Sequence, residues 1–134
     1  MMNIIFKVFF LLLLLSGSFL FASSFKIYAS KNIAIDSLSK SQISKLYLKK
    51  ISKINGIKVI VYDTKEYYDE FTKYFLNKTP SQIHAYWMKQ IFLGKRVPPI
   101  KLNENEVNQK LLSSPNTIIY SSQKLNGKVL YEKE

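Results

Sequence analysis

Four times in this chain a small polar residue is followed three positions later by Gln or Glu. In such a capping box the first side chain accepts from the third helical amide while the Gln or Glu reaches back to the cap, so each pair marks the start of a helix. Ser39 with Gln42 predicts a helix from Lys40 that carries Ile43, Leu46 and Tyr47 on one face. Asp63 with Glu66 predicts a second, running to about Leu76, because Tyr67, Phe71, Tyr74 and Phe75 recur at helical spacing. Thr79 with Gln82 is strengthened by Pro80, which needs no amide partner at the first helical position. That third helix places Ile83, Trp87 and Ile91 on one stripe and stops at Gly94, and Pro98-Pro99 prevents continuation. Asn103 with Glu106 opens a fourth, with Val107, Leu111 and Leu112 inward and Ser114-Pro115 at its end.

Between the helices lie short β-rich runs. Phe25 to Ala29 alternates apolar and polar and closes at Ser30-Lys31-Asn32. Asn55-Gly56 supplies the positive φ angles of a tight turn, and Ile57 to Tyr62 is apolar enough on both faces for a sheet interior. Thr117 to Tyr120 and Lys128 to Tyr131 complete the set, separated by an Asn126-Gly127 turn. The expected order is β-α-β-α-α-α-β-β. Strands separated by helices imply an α/β fold with a mixed, partly parallel sheet flanked by about four helices.

Ahead of these elements, Met1 to Lys7 carries one positive charge, Val8 to Leu15 is an unbroken apolar run, and Ser16-Gly17-Ser18 leads to small residues at Ala22, Ser23 and Ser24. This is the layout of a secretory signal peptide, expected to be residues 1–24 with cleavage after Ala22 or Ser24. Eight apolar residues fall far short of the roughly 20 that cross a bilayer, so no stable membrane span is expected after cleavage. Residues 25–134 then form one small exported, periplasmic domain. The chain has no cysteine, which excludes disulfides, thiolate metal sites and a catalytic thiol. Its formal charge is +11, yet all but one of its basic residues are lysines spread along the chain. Without arginine forks for phosphate backbones, and with export expected, nucleic acid is not an expected partner.

Chemistry-bearing residues are sparse. His84, the only histidine, has no Ser or Cys partner at a recognisable spacing and reads as a plain helix residue. Asp63, Glu66, Asp69 and Glu70 are accounted for by a cap and by the polar side of a helix. No metal, cofactor or catalytic motif stands out, so the expectation is a protein that is not an enzyme. Tyr86 and Trp87 are adjacent and must diverge, which points Tyr86 toward the Val97-Pro98-Pro99 loop. Lys95-Arg96 follows a helix C-terminus, where cations stabilise the dipole or meet a ligand.

Several stretches taken in order resemble a known family. Leu38-Ser39-Lys40-Ser41-Gln42-Ile43 with Leu46-Tyr47-Leu48, then Asn55-Gly56, Glu70-Phe71 with Tyr74, Ala85-Tyr86-Trp87 with Phe92, Gly94 and Pro98-Pro99, and Ile118 with Tyr120 are similar to the short, single-domain relatives of the periplasmic phosphate-binding proteins of ABC transporters. The resemblance implies a single periplasmic-binding-protein-like lobe, a small oxyanion such as phosphate as ligand, and a transporter or envelope protein as partner. It places the anion loop at Asp63, Thr64 and Lys65; apart from the resemblance, the cationic Lys95-Arg96 pair adds Arg96 as a further candidate contact. The family's Arg and its Ser-Gly-Thr turn are absent from Val61-Tyr62-Asp63-Thr64-Lys65-Glu66, which implies a degenerate phosphate site. The alternative is a basic envelope or adhesion module whose lysines meet anionic lipid or polysaccharide.

Overall fold

The computed structural model describes residues 25–133. The leader expected at residues 1–24 lies outside the described residues. Strand β1 (Lys26–Ala29) is followed by α1 (Lys40–Tyr47), a small hairpin of β2 (Lys53–Ile54) and β3 (Ile57–Lys58), and β4 (Ile60–Thr64). A 3-10 turn over Lys65–Tyr67 leads into α2 (Tyr68–Leu76), then α3 (Pro80–Phe92), β5 (Ile100–Leu102), α4 (Glu104–Ser113), β6 (Thr117–Ser121) and β7 (Lys128–Glu132). The fold is α/β, with a five-stranded mixed sheet in the order β5-β4-β6-β1-β7. β4 runs parallel to β5 and β6, while β1 is antiparallel to β6 and β7.

The expected element order needs two corrections. Ile57 to Tyr62 is not one strand: Asn55 (φ 50°) and Gly56 (φ 80°) fold β2 onto β3 as a separate hairpin, and β4 starts afresh at Ile60. The expected order also lacks β5, because three residues after Pro98-Pro99 carry no periodicity that exceeds a loop.

Alternation along the strands divides the core between the two sheet faces, since successive side chains point to opposite sides. Ile27, Ala29, Val61, Ile118 and Tyr120 face a large cluster with Ile43, Leu46 and Tyr47 of α1, Phe71 and Phe75 of α2, and Ile83 and Trp87 of α3. Tyr28, Tyr62 and Ile119 face a smaller cluster with Val107 and Leu111 of α4. Three helices therefore cover one face and one covers the other. At the centre of the larger side Phe71 stacks on Tyr120 with ring centroids 3.8 Å apart, and Tyr47 packs against both. The Tyr47 hydroxyl, buried among them, donates to the Tyr62 carbonyl at 2.9 Å.

Three expected side-chain placements are revised. Ile91 and Leu112 are exposed: the buried face of α3 passes through Ile83, Trp87 and Gln90, and that of α4 through Val107 and Leu111. Tyr86 does not turn to the proline loop, because its hydroxyl donates to the Leu48 carbonyl at the end of α1 at 2.7 Å.

The caps of α1 and α3 form as their sequences predict, with Ser39 and Gln42, and Thr79 and Gln82, exchanging reciprocal bonds of 2.9 to 3.2 Å. The Asn126-Gly127 turn is tight for another reason. A Cβ on Gly127 would lie 2.7 Å from the Ala29 carbonyl oxygen and 3.1 Å from Leu111 Cδ1. Backbone cannot yield as a side chain can, so Gly127→Ala should destabilise the domain by about 1–3 kcal/mol. A urea midpoint equal to that of the unsubstituted protein would show that the turn relaxes instead.

Candidate functional site

In an open α/β sheet, ligands are received beyond the carboxyl ends of parallel strands, where following helices present their free amides. Here those ends are Thr64 of β4, Leu102 of β5 and Ser121 of β6. Three of the four residues expected to bind an anion, Asp63, Thr64 and Lys65, lie there, but their side chains do not converge on one point.

Asp63 is not the cap of α2. It is the penultimate residue of β4, buried on the face that holds the larger core cluster, and its Oδ1 accepts from the Tyr120 hydroxyl at 2.8 Å. Burial raises its carboxyl to about 7, against smaller opposing effects of the Tyr120 hydrogen bond and the Lys101 and Lys49 charges. Tyr120 and Tyr47 are pushed well above the usual phenol range, first by burial and then by Asp63. Asp63 and Tyr120 are hydrogen-bonded and buried beneath the strand end, with the Tyr47 ring packed against Tyr120. Asp63, expected to compete for helix amides, is withdrawn from them.

Thr64 is fully buried, and its hydroxyl donates to the Tyr120 carbonyl. Thr64 offers no side-chain cap to the turn that follows, so the helical run opens as a 3-10 turn and becomes α-helical only at Tyr68. Lys65 is exposed on that turn. Arg96 follows α3, where its Nη1 donates to Gln90 Oε1 at 3.0 Å. It is engaged with its own helix end.

Two carboxylates hold the mouth between the strand ends. Glu66 Oε2 accepts from the amide of Glu104, the first residue of α4, at 2.8 Å. Glu104 in turn accepts from the Ser121 hydroxyl at 2.8 Å through Oε1, while its Oε2 is buried without a hydrogen-bond partner. Tyr67 stands beside both acids, and its hydroxyl is raised by partial burial and by their charge. A helix N-terminus stabilises negative charge, and here Glu66 supplies it from within the chain. An incoming oxyanion would displace one carboxylate while facing the other. Among the described residues no group of three or more His, Asp or Glu side chains is arranged to hold a metal ion.

The sequence flagged Glu66 only as the partner of a cap it does not make, and it missed Glu104, Ser121, Tyr47 and Tyr120. Glu104 had a usable signal, an acid at the first position after the Asn103 cap. The bonds joining it to Glu66 and Ser121 span 38 and 17 residues and have no local signature.

No protein-family model matches this chain, and no curated protein does. Among solved structures it is similar to a protein of Clostridium perfringens described as a phosphate ABC transporter substrate-binding protein with bound phosphate. The TM-score is 0.46 and the identity 16% over 72% of this chain. This chain spans 38% of that one's length.

Proposed function

We propose that this protein is an exported, periplasmic, non-enzymatic binding module, built like one lobe of a solute-binding protein, whose phosphate site is closed and which works by docking to a transporter or envelope component. The ordered sequence motifs support the kinship. The observation that carries the closed site is that the loop expected to meet the anion turns Asp63 and Thr64 into the core, while the Glu66 that follows lays its carboxylate on the α4 amide with Glu104 beside it. No arginine fork counters these acids, since the chain's one arginine, Arg96, follows the end of α3 beside Gln90 and not a strand end. Of the four residues expected to meet an anion, Lys65 alone presents an exposed side chain at the strand ends, and a single exposed lysine binds a small anion weakly.

Calorimetric titration with inorganic phosphate at low salt tests this reading. The expected dissociation constant is no tighter than about millimolar, corresponding to about 4 kcal/mol. Micromolar binding would overturn it and restore a solute-carrying role.

A further inference from the structure

The end of α3 and the segment after it display apolar side chains to water. Of the nine exposed large apolar side chains among the described residues, six lie between Met88 and Ile100: Met88, Ile91, Phe92, Leu93, Val97 and Ile100. Phe92 is 88% exposed. The helix cannot hide them, because turning Ile83, Trp87 and Gln90 to the core leaves Met88, Ile91 and Phe92 outside. Six of the nine fall within one short segment, a concentration of exposed apolar side chains of the kind found where a protein meets a partner surface.

The charge of the same region says what. From Phe71 to Asn103 the sequence contains no Asp or Glu, while Lys89, Lys95 and Arg96 fall in or beside the apolar segment; Lys101 is turned to the Tyr68 ring instead. Neither ion pair among the described residues, Lys26 with Glu132 and Lys128 with Asp36, involves them. A second copy of the chain would bring like charges together, which disfavours self-association through this face. An anionic bilayer satisfies both halves of the pattern, with apolar side chains entering the headgroup boundary and cations remaining at the phosphates.

The segment is also preformed. The Gly94 amide donates to the Ile91 carbonyl and the Lys95 amide to the Gln90 carbonyl, both at 3.0 Å, with Gly94 at φ 65°. This is a Schellman closure, and the Arg96 bond to the Gln90 side chain reinforces it. Little ordering cost therefore remains to be met on docking.

We propose that the α3 end, with Phe92 and Leu93 at its tip and Lys89, Lys95 and Arg96 around it, docks this protein on the surface of an anionic lipid bilayer. This names the envelope component of the module described above and rests on that reading. Among the described residues no helix is long and apolar enough to cross a membrane.

The test is flotation of residues 25–134 with vesicles of phosphatidylcholine alone or mixed with phosphatidylglycerol, alongside the phosphate titration. Binding is expected only to the mixed vesicles and should fall as salt is raised from about 0.1 M to 0.5 M. Phe92→Ser with Leu93→Ser, at positions 88% and 48% exposed, should lower the melting temperature only slightly, leave the protein folded, and weaken partitioning by roughly tenfold or more. Binding that ignores this double substitution would reduce the effect to diffuse lysine charge and overturn the docking surface. Absence of vesicle binding, with or without self-association in sedimentation velocity, would overturn it equally. Either failure with weak phosphate binding leaves the closed-site reading standing, whereas micromolar phosphate binding removes that reading whatever the vesicles do.

Discussion

Replacing Asp63 with Asn should make the domain markedly more stable at pH 8 and leave it nearly unchanged at pH 4. The folded carboxyl holds its proton up to about 7, against an ordinary value of 3.8. Between those values the native state binds a proton that the unfolded chain has released, so stability falls as pH rises and levels off above about 7. The full excursion is about 4 kcal/mol, a large part of what a domain of this size possesses. The amide oxygen introduced by Asp63→Asn would still accept from the Tyr120 hydroxyl, which now bonds the carboxyl at 2.8 Å, and it would never ionise. Urea unfolding of both proteins across pH 4 to 8 provides the measurement. Curves that stay parallel would mean that Asp63 ionises in the folded state as freely as in the unfolded one.

Trp87→Ala should cost about 3–5 kcal/mol, because a large ring leaves a cavity that its neighbours only partly fill. Trp87 is 7% exposed and joins the main cluster from α3, with Tyr86 edge-on to it at 4.8 Å between centroids. Since α3 carries only Ile83 and Trp87 as buried apolar side chains, losing the indole should loosen the whole helix. Denaturation monitored by far-UV circular dichroism would show it as an earlier midpoint. An unshifted midpoint would mean that α3 is held by its Thr79 cap and by the Tyr86 bond to Leu48 rather than by the ring.

The helices were readable because their signals are local. Ser39 with Gln42 and Thr79 with Gln82 act over three residues, and both helices start where the spacing puts them. The same spacing misleads at Asp63 and Glu66, because tertiary partners outcompete the cap. Tyr120, 57 residues away, takes the Asp63 carboxyl, and the Glu104 amide takes Glu66. Helical periodicity likewise places Ile91 and Leu112 inside. Each lies on the flank of an apolar stripe, and which flank touches the sheet is decided by packing angle rather than by sequence. The resemblance points to Asp63, Thr64 and Lys65, which the fold sets at and just after the end of β4, but the acids that hold the mouth become visible only when β4, α4 and β6 are brought together.

The position of β1 bears on how the chain comes to be folded. The first strand lies between the last two, with Lys26 opposite both Ser121 and Glu132. While a ribosome is still making the helices, that strand has neither neighbour, and the parallel β4 still lacks β6. Pairings across so many residues form late and slowly, since loop closure must precede any gain from contact. The growing polypeptide thus stays threadable until residues 117–132 emerge, which suits the proposed export, where a chain passes through a narrow pore before it folds.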